Sequence, residues 1–169
     1  MIRPLLQEIY RDDPWKMLVC CILLNLTKRT QVDGIRHELF ERYPTPEKMS
    51  KANQEELAEL LQPLGLYNRR ANTLVRFSED WLNGFTDVKD LYCIGQYDQD
   101  SWNIFQEGDM MVETKDKVLT KYSYSSSIFK IGLRNISIGF LAYTFNFVNL
   151  ESNNLNLNLL LYDITVTIL

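Results

Sequence analysis

The chain of 169 residues has a single histidine and three cysteines. Cys20, Cys21 and Cys93 form no Cys-x-x-Cys pair, and His37 stands alone among charged residues, so the donor sets of a metal site are missing. Cys20 and Cys21 lie inside an apolar run and read as buried thiols, which suits a reducing compartment. That run, Met17 to Leu24, is the longest in the chain and too short to span a bilayer. The opening residues Met1-Ile2-Arg3-Pro4 carry no signal-peptide h-region, and no membrane partner is expected. Basic charge is also in deficit. The 18 Lys and Arg against 22 Asp and Glu give a net charge of −4 and a pI of about 5.1. This argues against a generic nucleic-acid binder, which shows a basic face. Only local clusters remain, at Lys28-Arg29, Arg69-Arg70, and Lys115, Lys117 and Lys121, and each also fits a solvated helix end.

What is present is an all-α body of one domain, 1–122, with a tail, 123–169. Asp13 and Pro14 read as an N-cap and a first-turn proline opening a central buried helix that runs to about Thr27. Thr30 is expected to cap the next helix, whose apolar face is Val32, Ile35, Leu39, Phe40 and Tyr43. Thr45-Pro46 starts a short helix, Asn53 with Glu56 caps one through Leu61, and Pro63-Leu64-Gly65 ends it. Asn68 opens a helix faced by Ala71, Leu74, Val75, Phe77 and Trp81 and closed by Asn83-Gly84. Asp87 to Tyr92 forms a short helix, residues 93–96 a hairpin, and Tyr97 to Phe105 another helix. Beyond Tyr122 charges nearly vanish and Asn, Ile and Leu dominate. The tail is expected to be loosely packed, disordered or of foreign origin.

Residues 93–97 read Cys-Ile-Gly-Gln-Tyr, and Asp116 follows in Glu-Thr-Lys-Asp-Lys-Val-Leu-Thr-Lys-Tyr. A tight glycine-containing hairpin between helices, then an acid at the start of another helix, resembles the layout of the DNA base-excision glycosylases. The hairpin offers backbone N–H groups to a phosphate, and the acid serves the sugar of a flipped nucleotide. Asp13-Pro14-Trp15-Lys16, Ile22-Leu23-Leu24-Asn25, Pro63-Leu64-Gly65-Leu66-Tyr67, Arg70-Ala71, Phe77-Ser78 and the hairpin together resemble the helix-hairpin-helix (HhH-GPD) DNA glycosylase superfamily. The resemblance spans roughly Gln7 to Tyr122. It is strongest to the catalytic domain of the methyl-CpG-binding-domain thymine glycosylases and their prokaryotic relatives.

The resemblance implies a two-lobed all-α fold that works without a cofactor, as a monomer. Its partner would be double-stranded DNA carrying a mismatched or deaminated base. The activity implied is monofunctional removal of thymine or uracil opposite guanine, in a eukaryotic nucleus or a prokaryotic cytoplasm. Asp116 aligns with the catalytic aspartate, Gln7 and Tyr97 with the pocket for the flipped base, and Leu66 with a wedge entering the duplex. Ile94, Gly95 and Gln96 supply the hairpin contact, and Lys28, Arg29, Lys117 and Lys121 the nearby cations. Tyr97 sits where bifunctional relatives carry a Schiff-base lysine, so no lyase step is expected. The four clustered cysteines of iron–sulfur relatives are absent.

Each residue also has an ordinary role: Asp116 as a helix cap, Tyr97 and Leu66 as core, Gln7 as surface. Four departures stand out. Cys93 replaces the first hairpin glycine, and Leu26 replaces an arginine, with Lys28 or Arg29 as substitutes. A proline before Asp116 is missing from Val112-Glu113-Thr114-Lys115, and the likeness ends after Tyr122. Two other readings therefore stand beside an active glycosylase. One is an inactive helical DNA-binding or interaction domain; the other is a superfamily relative with another base preference.

Overall fold

The computed structural model describes residues 3–125; the expectations for the tail beyond Ser125 fall outside the described residues. Among the described residues the elements are helices and turns, with no strand. Helix α1 (Leu6–Ile9) is short, its approach fixed by Leu5 N–H donating to Glu8 Oε2 at 2.6 Å. Helix α2 (Pro14–Leu24) begins as the sequence suggests, with Lys16 N–H donating to Asp13 Oδ1 at 3.1 Å and proline in the first turn. Trp15 and Met17 through Leu23 are all buried, so α2 is the central helix.

Helix α2 stops at Leu24, short of the expected Thr27. Asn25 is extended, and Leu26 enters the left-handed region at φ +58°. The carbonyls left open there are taken by Arg70, whose side chain is only 7% exposed. Its Nη1 donates to Ile22 O at 3.4 Å and Leu23 O at 3.2 Å. Its Nη2 donates to Asn25 O at 3.0 Å and to Thr27 Oγ1, and its Nε to Gly65 O at 2.9 Å. Burial lowers the pKa of this guanidinium, and the five acceptors keep its charge satisfied.

Helix α3 (Arg29–Arg42) starts before Thr30, which is therefore not its cap. Lys28 holds that position, its N–H donating to Gln31 Oε1 at 3.3 Å. Val32, Ile35 and Leu39 face the core. On the other side of the helix Asp33 binds Arg3, Arg29 and Arg36, each at 2.8 Å. Burial pushes this carboxyl upward, but the hydrogen bonds from Arg36 and Arg29 and the surrounding positive charge leave it below its ordinary value.

Helices α4 (Pro46–Ser50) and α5 (Gln54–Leu61) follow, α5 capped by Asn53 Oδ1 accepting from the Glu55 and Glu56 N–H groups at 2.9 and 3.4 Å. A 3-10 turn (Gln62–Leu64) leads through Gly65, at φ +69°, to α6 (Tyr67–Asn83). Helix α6 opens one residue before Asn68, with Leu66 left-handed at φ +50° as its N-cap. Where a short helix was expected over Asp87 to Tyr92 there is a 3-10 turn, Val88–Asp90. Helix α7 is Gln96–Phe105, and helix α8 occupies residues 117–125 of the described chain.

These elements pack as two lobes. Helix α6 lies against α4 and α5, and α2 against α1, α3 and α7. Trp15 Nε1 links the lobes by donating to Ser78 Oγ at 3.2 Å, and that hydroxyl donates to Leu74 O at 2.7 Å. Helix α8 is docked by Tyr122, whose ring centroid is 4.7 Å from that of Phe105 on α7.

Candidate active site

Helix α7 begins at the hairpin, and its first turn faces the start of α8 across a cavity of about 830 Å³. Asp116, Tyr97, Gln7, Gly95 and Gln96 all line it, joined by Asn25, Leu26 and Thr27 from the end of α2 and by Arg29 and Lys115. Residues separated by more than a hundred positions therefore share one concave site.

Asp116 is the N-cap of α8. Its Oδ1 accepts from Val118 N–H and Leu119 N–H, each at 2.9 Å. Its own N–H donates to Thr114 Oγ1 at 3.2 Å, so a threonine hydroxyl shapes the approach where a proline was missing. Oδ2 takes no part in the cap and has no partner among the described residues. Capping and chemistry are compatible here, because one oxygen does the first and leaves the second available. A helix N-terminus also favours negative charge.

Gln7 is not a surface residue: it is 2% exposed. Its Nε2 donates to Tyr97 Oη at 2.7 Å and to Ser101 Oγ at 3.2 Å, which ties α1 to α7 and fixes the phenol. Burial pushes the Tyr97 phenol well above its ordinary pKa, and the neighbouring Cys21 adds to this, so Tyr97 is a neutral group at any physiological pH. Cys20 and Cys21 are fully buried thiols, and burial raises the pKa of both.

The hairpin is pinned to α6 on its outer side. Tyr92 N–H donates to Asp80 Oδ2 at 3.0 Å, and the Arg76 guanidinium stacks 3.8 Å from the centroid of the Tyr92 ring. Cys93 has φ +64°, so the position that wants glycine for conformational reasons is the one that holds cysteine. Gly95, by contrast, has φ −101°, and a Cβ there would meet Asp98 Oδ2 at an ordinary 3.5 Å. The Ile94 N–H donates to Leu91 O at 3.3 Å, and the Gly95 N–H to Asp98 Oδ2 at 2.8 Å.

The other expected DNA contacts lie around this site. Leu66 is 59% exposed, which excludes the core-packing role. With Leu26, which is 90% exposed, Cys93 and Arg69, it lines a second depression of about 110 Å³. All three non-glycine residues of positive φ among those described line that depression. Lys28, Lys117 and Lys121 are exposed. Arg29 lines the main cavity while paired with Asp33, and Arg70 is wholly occupied in the interior.

One residue of the site escaped the sequence reading. Asp98, at the third position of α7, is 4% exposed and lines the cavity. Its Oδ1 is buried and has no hydrogen-bond partner among the described residues. Burial pushes its carboxyl up to about 6. The signal was present as spacing: an acid three residues after the N-cap Gly95 is the reciprocal half of a capping box.

Residues 19–139 match the family described as HhH-GPD superfamily base excision DNA repair protein. The chain is 35% identical over 120 residues to a methyl-CpG-binding domain protein 4-like protein of Arabidopsis thaliana, covering 70% of this chain and 27% of that protein. It is 40% identical over 93 residues to the thymine/uracil-DNA glycosylase of Pyrobaculum aerophilum, covering 50% of this chain and 40% of that one. The fold is similar to the solved structure of a thermostable thymine-DNA glycosylase, with a TM-score of 0.55 and 26% identity over 62% of this chain and 54% of that one. The chain thus spans between about a quarter and two fifths of the length of these two sequence relatives.

Proposed function

This chain belongs to the HhH-GPD superfamily of base-excision DNA repair proteins, and from that premise we propose that it is a monofunctional DNA N-glycosylase removing thymine or uracil mispaired with guanine. The observation that carries the reading is one cavity lined by Asp116, Tyr97 and Gln7, with Asp116 Oδ2 left out of the helix cap.

The chemistry runs as a substitution at the sugar. The bond from the base nitrogen to C1′ breaks and its electron pair leaves with the base. The positive charge developing on the sugar is stabilised by the Asp116 carboxylate. Water adds to C1′ and gives up a proton, for which Oδ2 is the acceptor at hand. Tyr97 offers a phenol where an imine would need an amine, so the abasic sugar is released intact. Leu66, projecting beside Leu26, replaces the stacking lost when the nucleotide leaves the duplex. Unpaired N–H groups at the start of α7 take a phosphate, with Lys28, Lys117 and Lys121 at the surface adding cationic contacts. The protein acts as a monomer on duplex DNA, in the nucleus of a eukaryote or the cytoplasm of a prokaryote.

The test uses duplexes carrying G·T, G·U or matched pairs, incubated with the full chain and then treated with alkali. Strand cleavage at the mispaired pyrimidine after alkali, and not before it, is the expected result. Binding without base release would reduce the chain to an inactive DNA-binding domain. Release of a different base would place it elsewhere in the superfamily.

A further inference from the structure

The first turn of α7 already holds an anion of its own. Asp98 Oδ2 accepts the Gly95 N–H at 2.8 Å, on the hairpin where the Ile94 N–H is likewise taken, by Leu91 O at 3.3 Å. The second carboxyl oxygen, Oδ1, is buried without a partner among the described residues, although almost all buried polar atoms in folded proteins are hydrogen-bonded. A simple cap needs one oxygen and sits at the surface. Asp98 is 4% exposed and lines the cavity behind the hairpin.

We propose that the Asp98 carboxylate is an internal competitor of the DNA phosphate, holding the hairpin amide and opposing phosphate at the start of α7, so that losing its charge strengthens DNA binding. This rests on the glycosylase reading given above. The positive end of a helix stabilises one nearby anion, and a second brought to the same turn meets repulsion from the first. Burial gives Asp98 the means to yield, because its carboxyl is pushed up to about 6 and protonates within reach of physiological conditions. The groups around it do not mask the effect. The Cys21 thiol of α2 and the Tyr97 phenol both lie near enough to feel its charge, and both have pKa values pushed upward, so neither titrates near 6. Asp116, Lys115, Arg3 and Arg29 are the other charged groups on the wall of the same cavity.

The experiment measures affinity of the full chain for a G·U duplex between pH 5 and 8 at fixed ionic strength, for wild type and Asp98→Asn. The asparagine keeps an acceptor for Gly95 N–H and removes the charge. At pH 8 it should bind about three- to tenfold more tightly than wild type. The two should converge by pH 5, where the wild-type carboxyl is neutral. A ratio that stays constant with pH, or weaker binding by the variant, overturns the proposal. A protein that binds no duplex at any pH overturns the glycosylase reading itself. A second measurement needs no variant: the carboxyl carbon resonance of Asp98 should titrate at higher pH with DNA bound than without, since linkage is reciprocal. An unchanged midpoint would also overturn it.

Discussion

Replacing Cys93 by glycine should stabilise the protein, although it deletes a side chain and nothing else. Cys93 holds φ +64°, where an L-residue is about 1–2 kcal/mol less stable than in its preferred regions. Glycine carries no such penalty but loses more freedom on folding, by roughly 0.5–1 kcal/mol. The thiol is exposed, so no packing is lost. The net gain therefore centres on about 0.75 kcal/mol within a range of about 0–1.5, and the central value corresponds to a rise in melting temperature of roughly 2–3 °C for a chain of this size. Thermal unfolding under reducing conditions is the assay, with Cys93→Ala as the control. Alanine removes the sulfur but keeps the Cβ and its strain, so it should not gain. An equal gain by both variants would assign the effect to thiol chemistry, and no gain by glycine would refute the strain argument. With the strain relieved, DNA binding should also strengthen modestly, and less so as salt is raised.

Asp116→Asn should lose base release by at least a hundredfold in single-turnover assays while melting within about 1 kcal/mol of wild type, because the amide oxygen still caps α8. Arg70→Ala should lose about 3 kcal/mol or more in urea unfolding by orphaning buried carbonyls, whereas Arg69→Ala, on the exposed side, should change stability by less than about 0.5 kcal/mol. Asp98 makes a pH-dependent contribution to stability. Its folded pKa of about 6 lies above the unfolded value near 3.9, so the folded state takes up a proton as pH falls between them and gains stability there. Asp98→Asn should therefore melt above wild type at pH 7.5 and lose that advantage by about pH 4. Borohydride treatment during turnover should trap no protein–DNA adduct, and a trapped species would point to an amine such as Lys115.

Helix positions and caps were legible where a single local rule governs them. Asp13-Pro14, Asn53 and Asn83-Gly84 act where the sequence puts them, because capping depends on residues only a few positions apart. The end of α2 was not legible. Nothing near Leu24 stops a helix; the stop is a guanidinium arriving from position 70, and Arg70 reads in sequence as one of a surface basic pair. The same gap hid the burial of Gln7, whose partners Tyr97 and Ser101 lie about ninety residues away. Family membership could be read from motifs, since those record which residues recur together. The hairpin's strain could be anticipated from Cys93 standing in a glycine's place, while the competing Asp98 required knowing which hairpin amides were already taken.

The five donors of Arg70 all point at acceptors on two stretches of chain, 22–27 and Gly65. Lysine, with three donors radiating from one atom, has no geometry that reproduces this. The wall of the cavity at Asn25 to Thr27 and the turn that presents Leu66 are thereby bolted to one rigid plate. They cannot open independently, so their slowly exchanging amides should exchange together with one opening free energy rather than two. A duplex pressed against Leu66 would pull on the rim of the pocket through the same plate, giving the surface and the cavity a mechanical link that passes through neither.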